Sequence, residues 1–371
     1  MRCPFHEIVK ATVPAVAPRA REIVDDFYPR MFANNPETKA FFNPANQFEE
    51  PNRQRMALTN AVLAYASNID QVDKLADAVA IITHKHAGLG VQAEHYPIVH
   101  KNLLASIAHV MGDAVTPEIG EGWSEAVLAL AKILIGEEKK LYGMAEARSG
   151  GWAGVKDFKV SAKRALTQDC AELTFVPAEG PAVSIDFTPG QFLTVHVKKA
   201  GATPRHYTVT SAPGCPYLQC CPKKIGFVSG ALHDLEEGDV VGLSPPFGVF
   251  ALTEKPAVLI SAGIGVTPMK AFLQACPEKV ALAVHVDKAP ETHPFRQEFL
   301  DSGVKTHFHY TSRDGRPAAA ELVEHMKGHL GDCAFFLCGP SGFVSSVSDA
   351  LRQGGVEDVY IDAFGPTMSG Q

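Results

Sequence analysis

The sequence predicts a chain of three domains: an all-α domain, a small antiparallel β-barrel and a doubly wound α/β domain. Apolar residues recur at helical spacing through residues 4–143, whereas alternation with a period of two begins after the glycines at residues 150–154. From about residue 256, apolar strands alternate with helical segments. We place the domains at residues 1–147, 153–252 and 255–371, which suits a chain of 371 residues.

The composition favours a cytoplasmic enzyme that acts on small molecules. The net charge of −7 does not indicate nucleic-acid binding or attraction to anionic lipid. No apolar run approaches the roughly 20 residues of a membrane helix, and the first residues do not resemble a signal peptide. The eight cysteines include no Cys-x-x-Cys pair, which indicates reduced thiols. We expect a cytoplasmic monomer whose partners are small molecules.

The helices of the first domain are indicated by apolar residues three and four positions apart. The clearest sets are Ile23, Val24, Phe27, Tyr28, Met31 and Phe32, and then Met56, Leu58, Ala61, Val62 and Tyr65. Breaks at Asn43-Pro44 and Thr116-Pro117 separate the segments. The pattern predicts an all-α domain.

The helical segment at residues 78–89 carries two histidines, His84 and His86, which point to nearly opposite sides of a helix. His86 shares its face with apolar residues, so we expect it in the interior. It is either a core histidine that bonds a backbone carbonyl or an iron ligand of a haem. A haem ligand needs an acceptor for its second ring nitrogen, and Glu138 and Tyr96 are available for that purpose.

In the middle domain, the run Arg205-His206-Tyr207-Thr208 has the features of a flavin-binding strand. Arg205 can bind a phosphate bidentately, while Tyr207, two residues on and on the same face, can lie against a flat ring. Thr208 offers a hydroxyl and a backbone N–H to the polar edge of that ring. A strand that binds nothing is the alternative. A candidate haem histidine upstream and a dinucleotide-type loop downstream favour the flavin.

Short alternating segments predict the strands of the barrel. They lie at residues 157–162, 170–176, 191–197, 206–211, 226–229 and 239–243. Turn residues separate the segments, as in a small antiparallel barrel.

The last domain starts with an apolar strand at residues 257–262 and the tight turn Gly263-Ile264-Gly265-Val266-Thr267-Pro268. Further strands are predicted at residues 280–286, 305–310, 334–338 and 359–361, which gives a doubly wound parallel sheet with ligands at its carboxyl edge. A glycine turn after a strand often has a purely structural role. Because Cys338-Gly339-Pro340 ends a later strand, the two together favour a nicotinamide nucleotide, either NADH or NADPH.

The residues around His86 resemble the globin domain of the flavohaemoglobins. The matching motifs are residues 27–32, 41–47, 53–55 and 85–86. By this resemblance, Tyr28 and Gln54 would donate hydrogen bonds to dioxygen at a haem iron, and Phe42 would pack against the haem.

On the other side of that haem b, the resemblance makes His86 the proximal ligand. Glu138 and Tyr96 match the family's proximal pair, which holds the imidazole and increases its electron donation.

The barrel resembles that of the ferredoxin-reductase-like flavoproteins and implies bound FAD. The matching residues are Phe192, Arg205, His206, Tyr207, Thr208, Val228 and Ser229. Where the family carries a longer strand and loop, this chain has Pro216 and Pro222, which disfavour a central strand.

The last domain resembles the nicotinamide domain of the same reductases. The residues implied in nucleotide binding are Gly263, Ile264, Gly265, Val266, Thr267, Pro268, Cys338, Gly339 and Pro340. Phe364 would cover the flavin, and Asp362, where a glutamate is usual, would reach toward Lys85 and the haem edge.

The resemblance covers essentially the whole chain and implies a nitric oxide dioxygenase. NAD(P)H would reduce FAD, FAD would pass single electrons to the haem iron, and nitric oxide would be oxidised with dioxygen to nitrate. Two alternatives use the same parts. One is a haem-linked NADH oxidase or ferric reductase, and the other is an oxygen-binding sensor globin whose reductase half keeps the iron ferrous.

Overall fold

The computed structural model describes residues 4–43, 53–362 and 364. The chain forms two compact units, one containing the described residues up to Gly143 and the other Met144–Phe364. In the described ranges, no helix has both the length and the apolar character that crossing a membrane requires.

The described residues up to residue 147 are helical or connect helices, which confirms the predicted all-α fold. The helices are α1 (Pro4–Val16), α2 (Ala20–Asn34), α3 (Arg53–Ser67), α4 (Ala76–Leu89), α5 (Tyr96–Met111) and α6 (Pro117–Ala147). The apolar residues predicted to share one face of α2, from Ile23 to Phe32, are all buried. They form one core with residues of the other helices, such as Leu103 and Trp123. Residues 44–47 of the globin-like motif lie outside the described residues.

The next part of the chain forms a six-stranded antiparallel sheet. Its strands are β1 (Lys156–Ala165), β2 (Ala171–Pro177), β3 (Phe192–Val197), β4 (Arg205–Thr208), β5 (Leu218–Cys220) and β6 (Val240–Leu243), in the order β4-β3-β6-β1-β2-β5. Beyond β4, the Thr210 N–H donates to the carbonyl of Gln219 in β5 at 2.8 Å. The two ends of the strand order therefore meet, as the predicted barrel requires.

Two local predictions for this sheet concern residues 226–229 and the prolines at positions 216 and 222. Residues 226–229 are not a strand, because helix α7 (Phe227–His233) begins there and the Ser229 hydroxyl accepts the N–H groups of Ile225 and Gly226 at 2.9 Å. A run of four residues is too short to distinguish a period of two from a helical turn. Pro216 and Pro222 lie outside β5 (Leu218–Cys220), so neither removes a hydrogen bond from that strand.

The last part of the chain is a five-stranded parallel sheet with helices. Its elements are β7 (Ala257–Ala262), α8 (Val266–Ala275), β8 (Val280–Asp287), α9 (Arg296–Asp301), β9 (Thr306–Tyr310), α10 (Thr311–Asp314), α11 (Ala319–His325), β10 (Ala334–Cys338), α12 (Ser341–Gln353) and β11 (Val359–Asp362). The strand order is β11-β10-β7-β8-β9. The chain proceeds outward from β7 to β9 and then returns to the other side of β7, so the order reverses between β7 and β10. The carboxyl edge at such a reversal is where doubly wound sheets bind ligands.

Candidate functional site

Three helices of the first unit bring His86, Tyr96 and Glu138 together. Nδ1 of His86, on α4, lies 2.8 Å from Oε1 of Glu138, on α6. The hydroxyl of Tyr96, at the start of α5, donates to the same carboxylate oxygen at 2.6 Å and lies 3.2 Å from Nδ1 of His86. Glu138 is buried, with 2% of its side chain exposed. Burial and this hydrogen bond raise the pKa of Tyr96, so the phenol stays a donor.

The arrangement leaves the second ring nitrogen of His86 available. Among the described residues, Nε2 of His86 makes no hydrogen bond, and 34% of the side chain is exposed. His86 was expected in the interior but is half-buried. The fully buried face of α4 is formed by Thr83, Ala87 and Gly88. The carboxylate fixes the proton on Nδ1, which leaves Nε2 as the lone-pair donor that a metal requires.

The chemistry of this donor set fits a haem. The part of the chain that the structure describes holds no group of three or more His, Cys, Asp or Glu residues able to bind a metal ion. A haem iron needs only one or two ligands from the protein, since the porphyrin supplies the others. His86 with Glu138 behind it could provide that ligand.

Tyr28 and Phe42 lie against each other in the same helical unit. Tyr28 is buried in α2, and its ring centroid is 5.5 Å from that of Phe42, with the planes at 80°. Gln54 is half-buried in the first turn of α3. The next residue, Arg55, pairs with Asp25 of α2 at 2.9 Å, which ties the start of α3 to the helix that carries Tyr28. Tyr28 lies one turn beyond Asp25.

The strands β3 and β4 align the residues predicted to bind a flavin. Phe192 pairs with Thr208 and Leu193 with Tyr207 in the antiparallel register. The rings of Phe192 and His206 have centroids 4.4 Å apart, and Nδ1 of His206 lies 2.8 Å from the Thr194 hydroxyl. Burial raises the pKa of Tyr207, so its hydroxyl remains protonated.

Arg205, Val228 and Ser229 complete the predicted flavin group, and each has contacts with neighbouring residues of the chain. Nη1 of Arg205 donates to the carbonyls of Thr203 and Pro204 at 3.0 and 2.9 Å. Burial lowers the pKa of Arg205, though the guanidinium remains charged. Val228 is buried in α7, and the Ser229 hydroxyl caps the start of that helix.

The two glycine loops of the last domain touch at the reversal of the strand order. A Cβ on Gly265 would lie 2.4 Å from the carbonyl oxygen of Cys338 and 2.6 Å from the nitrogen of Gly339. Gly263 has a φ of +53°, and a Cβ on Gly339 would lie 3.2 Å from Ala262. These positions allow backbone to approach closely, which is how such loops admit a pyrophosphate.

The remaining predicted nucleotide residues surround this contact. Val266, Thr267 and Pro268 are buried at the start of α8, Ile264 is half-buried, and Pro340 is exposed. Asp362 pairs with Cys338 in the parallel register of β11 and β10, and Phe364 is 40% exposed. Lys85 is half-buried on α4 in the first unit, one residue before His86.

Sequence reasoning missed a charged network between the two sheets of the second unit. Lys270 in α8 and Glu172 in β2 are both more than nine-tenths buried, and Nζ lies 3.9 Å from Oε1. One feature of the sequence could have revealed this network. Lys270 lies within the apolar helical segment at residues 266–275, where it shares a face with Val266 and Leu273.

The helical region matches the globin family model over residues 25–134. The flavohemoprotein of Bacillus subtilis (strain 168) is 35% identical to this chain over 391 residues, which covers 98% of this chain and 97% of that protein. A flavohemoglobin from Malassezia yamatoensis, solved with bound FAD and heme, superposes with a TM-score of 0.84 at 26% identity and covers 97% of this chain and 98% of that one.

The second unit has its own structural relative. The flavohem-like FAD/NAD binding domain of nitric oxide dioxygenase from Vibrio cholerae O1 biovar El Tor has a TM-score of 0.51 and 29% identity, over 57% of this chain and 99% of that one. The Bacillus subtilis flavohemoprotein matches nearly the full length of this chain, and a globin region is followed by a reductase-like unit. This chain therefore belongs to the flavohemoprotein family.

Proposed function

We propose that this protein is a nitric oxide dioxygenase. As a flavohemoprotein it is an NAD(P)H-dependent oxidoreductase that uses haem and FAD. The observation that carries the finer assignment is the buried carboxylate behind His86, at 2.8 Å from Nδ1. A strongly donating imidazole favours activation of dioxygen over its simple storage.

When bound, FAD and haem supply the conversion of a hydride from NAD(P)H into single electrons for dioxygen chemistry. Each electron combines with one dioxygen and one nitric oxide to give nitrate. At the helical site, His86, held by Glu138 and Tyr96, would bind the haem, and other side chains would supply hydrogen-bond donors to dioxygen. Tyr28 and Gln54 are the donors we propose, and Phe42, in ring contact with Tyr28, limits the space beside them.

In the second unit, the proposed division of labour follows the two sheets. Arg205, Tyr207 and Thr208 would hold the flavin along β4, and Phe192 would support them from β3. Gly263, Gly265 and Gly339 would admit the pyrophosphate of the nicotinamide nucleotide between β7 and β10. Phe364 would cover the flavin, and Asp362 in the second unit and Lys85 in the first would each assist electron transfer to the haem.

The test is dioxygen-dependent consumption of nitric oxide by the purified protein with NADH, with the visible spectrum and the nitrate formed recorded together. Rapid consumption with stoichiometric nitrate supports the proposal. NADH oxidation that nitric oxide does not accelerate would instead assign an oxidase or ferric reductase. Slow reduction without turnover would assign an oxygen-binding sensor.

Tyr28 gives a residue-level test of the same proposal. Tyr28→Phe removes one donor while keeping the ring that contacts Phe42, so dioxygen should dissociate faster from the reduced protein. Displacement of dioxygen by carbon monoxide, followed by stopped flow, measures that rate. Tyr65→Phe is the matched control, since Tyr65 is also a buried helix tyrosine of this unit, and its dissociation rate should equal that of the wild type. An equal rate in Tyr28→Phe would remove Tyr28 from the dioxygen side.

A further inference from the structure

A charged network with the buried Glu172 and Lys270 at its centre and the more exposed Arg164 and Glu298 at its edge joins the antiparallel sheet to helices of the parallel-sheet domain. Glu172 accepts a hydrogen bond from Arg164 Nη2 at 2.9 Å, and Oε1 of Glu172 lies 3.3 Å from the Thr210 hydroxyl. The same Arg164 nitrogen lies 2.8 Å from Glu298 on α9. Lys270 on α8 completes the network, with Nζ 3.9 Å from Glu172. Two cations and two anions balance, so each charge has a partner of opposite sign.

Lys270 reaches from the parallel sheet's first helix to the chain that follows β4. Its ammonium group donates to the carbonyl oxygen of Thr210 and to the Gln274 side chain, and it lies 5.4 Å from the ring centroid of Phe295. Phe295 is the one non-glycine residue with positive φ among the described residues, at 62°. Such a conformation persists only where surrounding packing enforces it.

A second contact lies beside the first. The Thr267 hydroxyl lies 3.3 Å from the Thr208 hydroxyl. Residues three apart on a helix share a face, and so do residues two apart on a strand. Thr267 and Lys270 lie on one face of α8, and they contact the Thr208 hydroxyl and the Thr210 carbonyl, two residues apart along the chain. Two separate contacts restrain both the position and the direction of α8 against the end of β4.

We propose that Lys270, held by Glu172, is a positioning residue that sets the nicotinamide loop against the flavin strand. The inference rests on the reductase half of the proposed function, in which a hydride, one proton with two electrons, leaves NAD(P)H and reduces FAD. Thr208 belongs to the proposed flavin strand, and Gly263 to Thr267 form the proposed nucleotide loop. Transfer between two bound molecules depends steeply on their distance and alignment, and the two contacts hold the elements that carry them.

A buried lysine is a costly way to fill this space. Burial lowers the pKa of Lys270, and the charge of Glu172 opposes that effect. An apolar residue of similar length would pack against the Phe295 ring without a desolvation cost. The carbonyl of Thr210 would then lose its donor from α8, so the lysine serves alignment more than stability.

The experiment compares Lys270→Met, Glu172→Gln and Lys270→Arg in the full-length protein loaded with FAD and haem. Anaerobic flavin reduction by NADH is followed by stopped flow, and amide hydrogen exchange is measured across residues 205–211. Because neither dioxygen nor nitric oxide is present, the result is independent of the nitric oxide assay. Lys279→Met is the control, since Lys279 pairs only loosely, at 3.4 Å, with the exposed Glu254.

We expect Lys270→Met to lower the limiting rate of flavin reduction by about 10-fold or more, because small misalignments have large effects on such steps. Its FAD content should match the wild type, and amide exchange at Thr208 to Ser211 should accelerate. Glu172→Gln should show the same changes to a smaller degree. Lys270→Arg should recover part of the rate, since it keeps a charged donor, and Lys279→Met should behave as the wild type.

Wild-type limiting rates and wild-type exchange in Lys270→Met would overturn the inference. A second pattern would overturn it as well. In that pattern, amide exchange accelerates throughout the second unit with a uniform loss of stability, and the limiting rate in Glu172→Gln is unchanged. In that case Lys270 would serve only to stabilise the fold.

Discussion

His86 and Glu138 are 52 residues apart in the sequence, yet Nδ1 of His86 lies 2.8 Å from Oε1 of Glu138. Tyr96 donates to the same oxygen, so the carboxylate is held on two sides. A buried carboxylate in this position fixes the imidazole's orientation and makes its other nitrogen a stronger donor. The proposed haem chemistry depends on this pair.

Glu138→Gln should raise the midpoint potential of the haem. The amide preserves the shape of the side chain but removes the negative charge that makes the imidazole electron-rich, so the ferric state loses more stabilisation than the ferrous state. Spectroelectrochemistry measures the potential. Glu137→Gln is the matched control, because Glu137 is the exposed neighbour that pairs with Lys140. Equal potentials in the two variants would contradict the role of Glu138.

His86→Ala should abolish haem retention and leave flavin reduction by NADH intact. The Soret band relative to protein absorbance reports haem, and anaerobic bleaching of the flavin reports the reductase half. His109→Ala, at a histidine with 68% of its side chain exposed, should retain full haem. A His86→Ala variant with full haem and full activity would show that the iron ligand lies elsewhere.

Gly265→Ala should destabilise the second unit and weaken nucleotide binding. The added methyl group would lie 2.4 Å from the Cys338 carbonyl, and the backbone there must move. Overpacking of this kind costs about 1–3 kcal/mol. Chemical unfolding and the KM for NADH measure the two effects. Gly328→Ala, where nothing lies within 4 Å of the added atom, should leave both unchanged; similar behaviour of the two variants would exclude a close approach at Gly265.

His293 should make the second unit sensitive to acid. Burial lowers the pKa of His293 to about 2, with the neighbouring His285 adding to the effect. In the unfolded chain the same imidazole takes up a proton near pH 6.5, whereas in the folded chain it stays neutral. The contribution of His293 to the free energy of unfolding is therefore complete above pH 6.5 and is lost as the pH falls below it. From about pH 7.5 to about pH 5 the loss is about 2 kcal/mol.

The measurement is urea unfolding of the wild type and His293→Phe at both pH values. The variant lacks the titrating group, so its stability should fall less between them, whatever its stability at neutral pH. His109→Phe changes a histidine of the first unit with 68% of its side chain exposed, and it should keep the wild-type dependence of the second unit. An undiminished pH dependence in His293→Phe would show that other groups cause it.

Much of the fold follows from local patterns. The helical spacing in α2 and the place of strand β3 reflect geometry that a few consecutive residues already impose, and both elements were predicted correctly. The prediction at residues 226–229 was wrong because the capping hydroxyl of Ser229, and not the alternation of apolar residues, decides that segment. A period cannot be read from four residues.

The sequence by itself determined the three kinds of domain, the family resemblance and the candidate residues such as His86 and Gly265. Only the tertiary structure decided which distant groups meet. It brings Glu138 to His86, the Cys338 carbonyl to Gly265, and Lys270 to Thr210. The physical reason is that periodicity records which face of an element is buried, whereas the partner across that face depends on how whole helices and sheets pack.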